Sequence, residues 1–119
     1  LKGGGTKIRT TSAGHSYKYS EGSMSYPDGL EKPSRTIITG EGGKTPSRFK
    51  HVIQHGNIRR RLMPVELERL NGFPDGWTEG DSITNNKRAF FMGNALVIGV
   101  VEMIGATIST WLHEHSKSD

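Results

Sequence analysis

Apolar positions fall unevenly along this chain, and their spacing changes character part-way. Over residues 3–29 no period holds. Gly, Ser, Thr and Tyr dominate there and Pro27-Asp28-Gly29 marks a turn, so the pattern predicts loop with short strands. Arg35-Thr36-Ile37-Ile38-Thr39 is a β-rich run that Gly40 ends, which predicts a strand. Residues 49–55 alternate in part and predict a second, and Gly56-Asn57 reads as a hairpin turn into 58–62. The period then lengthens. Pro64 suits the first position of a helix, Leu67 and Leu70 form its apolar stripe, and Asn71-Gly72 closes it before Phe73-Pro74 turns the chain. Met63 stands at the N-cap, where it has no oxygen for the first free amides, a cost of about 1 kcal/mol against threonine.

After a polar loop over 75–82, Asn85 or Asn86 is placed to cap a short helix over 87–92, which Gly93-Asn94 breaks. Beyond the break Leu96, Val97, Val100, Val101, Ile104, Ile108, Trp111 and Leu112 recur at three and four. That is the stripe of a helix that packs on something larger. Residues 113–119 read as a frayed polar tail. Trp77, Trp111, Phe90 and Phe91 lie on or beside the stripes and are expected to be core or packing residues rather than platforms for bases. There are no internal repeats.

Charge sharpens the division. Residues 1–57 carry nine Lys/Arg against four acids, a net of +5, with 13 of the apolar residues; residues 58–119 carry 25 apolar residues and a net of −1. The whole chain of 119 residues has a net charge of +4 and 16 glycines. A basic, glycine-rich half joined to a near-neutral helical half predicts a surface for a polyanion, with nucleic acid the natural one, on an anchoring scaffold. The longest apolar run, over 95–101, is far shorter than the roughly 18 residues of a spanning segment, so no membrane partner is expected and the cytoplasm is the expected compartment. Opening on Leu1 and three glycines, the chain reads as a piece of something longer.

There is no cysteine, hence no disulfide, thiolate metal site or thiol nucleophile. Gly40-Glu41-Gly42-Gly43-Lys44-Thr45 imitates a phosphate-binding loop, but Ile38 stands where the pattern needs glycine and Pro46-Ser47 follows where it needs a helix. Lys44, Arg48 and Lys50 nonetheless sit close enough in sequence to meet DNA phosphates together. His15, His51 and His55 are scattered, and His113 and His115 have a spacing that does not converge, so no metal is expected. Among Arg59-Arg60-Arg61, Arg60 is as suited to a structural pair with a carboxylate such as Glu66 as to a phosphate, and Arg69 is one turn from Glu66 on the helix surface.

Arg60, Leu62, Pro64, Glu66, Arg69, Leu70, Gly72, Phe73 and Pro74, followed by Met92-Gly93-Asn94, together resemble the last two sequence motifs of the DNA cytosine-5 methyltransferases. Enzymes of that family join a doubly wound α/β domain that binds S-adenosylmethionine to a small variable domain that reads DNA. The resemblance implies an α+β fragment of a larger α/β enzyme. Short strands and loops of the recognition region (1–57) would precede the two motifs and a C-terminal helix (58–119), three helices in all packing on an absent S-adenosylmethionine-binding domain. It implies that Thr36 contacts the DNA backbone near the extruded cytosine, and that Lys7, Arg9 and Arg35 lie in the recognition region as candidate DNA contacts beside the basic loop of Lys44, Arg48 and Lys50. Gly93, Asn94 and Ala95 match the turn beside the methionine end of the cofactor. Arg60, Pro64, Glu66, Arg69 and Gly72 match the structural motif that seats the recognition region. Met63 departs from the threonine often found at its place.

A larger departure concerns the chemistry. The family's Pro-Cys nucleophile, its glutamate in Glu-Asn-Val, its arginine in Gln-x-Arg and its N-terminal glycine-rich cofactor turn have no counterpart here. Without a thiolate adding to C6, C5 of cytosine is too weak a nucleophile to take a methyl group. The implied partners are double-stranded DNA and an N-terminal catalytic domain or subunit carrying the Pro-Cys nucleophile, in a bacterial, nucleoid-associated setting. Such a chain is expected to be inactive alone. A naturally split enzyme, a truncated single-chain enzyme and a non-catalytic DNA-binding or interaction module are the readings left open.

Overall fold

A computed structural model describes residues 5–116. It is an α+β arrangement of two antiparallel hairpins and three helices: β1 (Thr6–Thr10) with β2 (Ser16–Ser20), β3 (Val52–His55) with β4 (Ile58–Arg61), then α1 (Pro64–Leu70), α2 (Asn85–Asn94) and α3 (Ile98–His115). The radius of gyration, 19.8 Å, far exceeds the roughly 13 Å of a compact domain of about 100 residues. The core is correspondingly small: Ile37, Leu67, Ala89 and Met92, flanked by Leu62, Phe73, Phe91 and Ala95.

The two hairpins are built differently. In β1–β2, Lys7 pairs with Tyr19 and Arg9 with Tyr17, and only Tyr19 has any substantial cover. In β3–β4 the turn is Gly56-Asn57, with Gly56 at φ 58°, the positive value a two-residue hairpin needs at its first turn position. Strand β3 is shorter than the alternation predicted. The carbonyls of Phe49 and Lys50 accept from Arg35 (3.0 and 3.4 Å), and the amide of His51 donates to Glu41 (2.6 Å), so the backbone before Val52 is engaged elsewhere than in a ladder.

The expected strand at 35–39 does not form. Ile37 is buried beside Met92, and the backbone of Ile38 and Thr39 lies against α2, so the β-branched residues serve burial against a helix with no strand beside them. Helix α1 begins and ends where its pattern indicated. Met63 supplies no side-chain cap, but the Glu66 carboxylate reaches back to the Met63 amide at 2.7 Å and partly compensates. Helix α2 starts earlier than expected, and its cap is Thr84, whose hydroxyl accepts from the Lys87 amide at 3.3 Å, rather than Asn85 or Asn86. It also runs through Gly93 and Asn94, breaking only at residues 95–97. Helix α3 continues to His115, past the expected start of fraying, and 117–119 lie outside the described residues.

Helix α3 buries none of its residues. Trp111 is 56% exposed and stacks on His115, Trp77 is 65% exposed and tilts against Phe73, and Phe90 is about half exposed. These rings, expected to be core or packing residues, lie outside the core of this chain and pack on neighbouring rings. By length and composition alone the helical stretch over 85–115 is long and apolar enough to cross a membrane, which the run-length reading at 95–101 did not anticipate.

Candidate functional site

The site is organised by helix α2 and the loop that lies along it. Near the end of the helix, a Cβ on Gly93 would sit 2.5 Å from the backbone N and Cα of Thr39 and 2.6 Å from the carbonyl carbon of Ile38. Backbone cannot yield as a side chain does, so only glycine permits this approach. Near the start of the helix the relation is reversed. There the missing Cβ belongs to the loop, since one on Gly42 would sit 2.9 Å from both the Asn86 Cα and the Ala89 Cβ.

Polar bonds fix the helix. Asn71 at the end of α1 donates to the Met92 carbonyl (2.9 Å) and accepts from the Ile98 amide (2.9 Å), joining α1, the end of α2 and the start of α3. The buried Glu68 carboxylate accepts from Arg88 (2.9 Å), from the amides of Gly76 and Thr78 (2.8 and 2.9 Å) and from the Thr78 hydroxyl. Burial alone raises its pKa, but the bonds from Thr78, Arg88 and the two amides outweigh it and hold the group down to about 2.

Residues 34–37 face residues 92–97 across a cleft of about 300 Å³. Thr36 lines one side of it, and Gly93 and Ala95 line the other. Its remaining walls include the apolar Ile37, Met92, Leu96 and Val97, and no acidic residue lines it. The Asn94 side chain is directed away, donating to the Phe90 carbonyl (2.9 Å) and so closing the last turn of α2.

The cationic residues singled out in the sequence separate into two groups. Lys7, Arg9 and Lys44 are exposed, and Arg9 lies 3.8 Å over the Tyr19 ring. Directly paired residues share a face of a hairpin, so Lys7, Arg9, Tyr17 and Tyr19 make one basic, aromatic face. The other three cations are bonded within the chain. Arg35 donates to Asp28 (2.9 Å) and to two backbone carbonyls, and Arg48 bonds Glu21 and the Gly22 carbonyl. Lys50 is buried, with its ammonium donating to the carbonyls of Gly43 and Thr45 (2.5 and 2.6 Å); desolvation, then the nearby Arg61 charge, hold it below the ordinary lysine range against the opposing pull of Glu41.

Among the structural-motif residues, Arg60 and Glu66 form a two-pronged pair at 2.7 and 2.8 Å. Arg69 pairs with Asp75 (2.7 Å) instead of the expected Glu66. Gly72 adopts φ 78°, the left-handed conformation that ends α1. Sequence reasoning missed Asp28, read only as a turn residue. Its carboxylate joins Arg35 to the Val52 amide (2.8 Å). It also missed Arg88, which follows the polar Asn85-Asn86-Lys87 with no pattern to announce its buried partner, and Glu41, whose carboxylate faces the His51 ring at 3.3 Å in the interior. Among the described residues no group of three His, Asp or Glu is placed to hold a metal ion.

The two glycine contacts seat on α2 the stretch that carries Thr36, and Gly93 is part of the pattern that suggested cytosine methylation. A family model for C-5 cytosine-specific DNA methylases matches residues 4–110. The chain belongs to the C-5 cytosine-specific DNA methylase family. It is 49% identical over 100 residues to the Type II methyltransferase M.Sau3AI of Staphylococcus aureus, an alignment that covers 84% of this chain and 23% of that protein. This methylase chain therefore spans about a quarter of the length of the relative it matches. No solved structure matches it.

Proposed function

We propose that this methylase chain is the C-terminal part of a DNA cytosine-5 methyltransferase, in which 1–57 belong to the DNA-reading region and 58–119 carry the last two motifs and the anchoring helix. The observation that supports this most is the cleft lined by Thr36 and by Gly93 and Ala95, because it brings the expected DNA contact and two of the three expected cofactor contacts to one place. Lys7, Arg9 and Lys44 are the exposed cations that meet duplex DNA, and Arg35, Arg48 and Lys50 support the loop that carries Thr36 and Lys44.

S-adenosylmethionine supplies the activated methyl group when bound. The cleft fits one end of that molecule: its apolar wall suits the aliphatic methionine portion, with Gly93 and Ala95 leaving room beside the backbone. With no carboxylate in the lining, the sulfonium charge and the ribose are recognised by the large domain. That domain also covers α3, whose Val100, Val101, Ile104 and Ile108 are each about half exposed here. It brings the Pro-Cys nucleophile that a cysteine-free chain cannot supply, so this chain alone transfers no methyl group. The setting is that of a bacterial Type II modification enzyme in the cytoplasm.

The test is complementation. The chain is mixed with an N-terminal methyltransferase half, and labelled methyl transfer from S-adenosylmethionine to duplex DNA is followed. Activity from the mixture and from neither part alone is expected. A chain that binds duplex DNA tightly yet never complements would be a stand-alone binding module, and one that does neither would defeat both readings.

A further inference from the structure

Arginine occupies positions 59, 60 and 61 in succession, and hairpin β3–β4 separates their roles. Alternate residues of a strand face opposite sides, so Arg60 lies on one face of the hairpin and Arg59 and Arg61 on the other. Arg60 is neutralised by Glu66. Arg59 and Arg61 are both exposed, and among the described residues neither has a carboxylate partner. Arg61 donates to the carbonyl of Gly43 (2.5 Å), the residue before the exposed Lys44. A basic strip without neutralising acids therefore runs from Lys44 past Arg61 to Arg59.

Arg59 is held in a particular orientation. Its Nε donates to the side-chain oxygen of Gln54, its directly paired residue on β3 (3.2 Å). Gln54 is itself fixed, because its amide donates to the Gly56 carbonyl (3.1 Å). The guanidinium carbon stands 5.2 Å from the centroid of the Tyr26 ring. These contacts set the plane of the guanidinium and leave Nη1 and Nη2 without a hydrogen-bond partner among the described residues. Two N–H groups in a fixed plane match two oxygens of a phosphodiester, and a fork held beforehand loses less side-chain freedom on binding.

We propose that Arg59, held by Gln54 and Tyr26, is a phosphodiester-binding site that continues the duplex DNA surface of Lys44 onto hairpin β3–β4. This rests on the function proposed above and adds to it a DNA contact beyond residues 1–57. The site recognises backbone charge and shape, so it adds affinity without reading sequence.

The test uses the enzyme reconstituted from this chain and an N-terminal catalytic half. Affinity is measured over a series of salt concentrations for a duplex that the enzyme methylates and for one that it does not. In Arg59→Ala the slope of log affinity against log salt should fall in magnitude by about one. Both duplexes should bind about tenfold more weakly at low salt, with the ratio between them unchanged. Arg59→Lys keeps the charge without the fork, and Gln54→Leu keeps the arginine without its support. Both should retain the slope and lose about threefold in affinity. Arg59 is exposed, so the thermal unfolding midpoint of the chain should stay where it is.

An unchanged slope in Arg59→Ala overturns the inference. A loss confined to the methylated duplex also overturns it, because Arg59 would then read a base. So does weakened association with the catalytic half, which would give the fork to a carboxylate of that half. Full affinity in both Arg59→Lys and Gln54→Leu would overturn the held fork. The proposed function would survive each of these results. An unsubstituted enzyme that binds no duplex at all would bring down that function, and the inference with it.

Discussion

Helices α2 and α3 are separated by three residues, and both are apolar on one side, yet they stand in opposite relations to the rest of the chain. Helix α2 buries Arg88, Ala89 and Met92 against α1 and the loop over 37–43, while α3 buries nothing. The difference teaches that an apolar stripe reports a need for a partner without saying where the partner is. For α2 it lies within this chain, and it includes a charge. Arg88 is 8% exposed and its guanidinium bonds both Glu68 and Glu79, so the buried end of α2 is held by electrostatics as much as by packing.

The sharpest way to break the comparison is to remove that charge. Arg88→Ala leaves the buried Glu68 carboxylate without its cation, and urea unfolding should show a loss of about 3–5 kcal/mol. A loss under about 1 kcal/mol would mean that α2 is held by its apolar face alone. Acid should act on the same group. Glu68 titrates at about 2 in the folded chain against 4.5 for a free glutamate, so its contribution, about 3 kcal/mol, is present above pH 4.5 and is lost as pH falls towards 2. Unfolding midpoints measured from pH 6 down to pH 2 check this, and Glu68→Gln should flatten most of the decline.

On α3 the expectation inverts. Val101→Asp with Ile108→Asp should change the unfolding free energy of the chain by less than about 0.5 kcal/mol, because both side chains already meet water. The same pair should weaken association with an N-terminal catalytic half by at least about tenfold, measured by co-purification and titration. Destabilisation of the chain itself would mean that α3 has an intramolecular partner. The smallest effect is expected at Arg69→Ala. Its bond to Asp75 is short, but the two side chains are 64% and 55% exposed, and water replaces the partner, so the unfolding midpoint should not move measurably.

Elements whose signals are local were legible in the sequence. Pro64 and Asn71-Gly72 bound α1 where the structure has it, and Gly56-Asn57 turns β3 into β4. Where tertiary contacts compete, the reading failed. Residues 35–39 have strand propensity in full, yet Gly93 brings a helix against their backbone where a neighbouring strand would have to lie. Thr84 displaced the two asparagines as the cap of α2 because the cap depends on where the chain turns inward, and several polar residues in a row can all serve. In the candidate site, Thr36, Gly93, Asn94 and Ala95 came from resemblance alone. Nothing in their spacing indicated that Thr36, Gly93 and Ala95 would share a cleft, or that Asn94 would turn away from it.

The sequence by itself determined the family, the helical half, the basic half and the absence of a thiol nucleophile, because each is carried by residue identity or by short-range order along the chain. Which cations are exposed to a ligand and which are bonded inside was decided only in three dimensions. Lys44 and Lys50 are alike in sequence, six residues apart in one loop. One is exposed to solvent, while the other is buried beneath the carbonyls of Gly43 and Thr45. Burial and hydrogen-bond partners are properties of the path the backbone takes. Here that path is set by two glycines whose missing side chains let a loop lie directly on a helix.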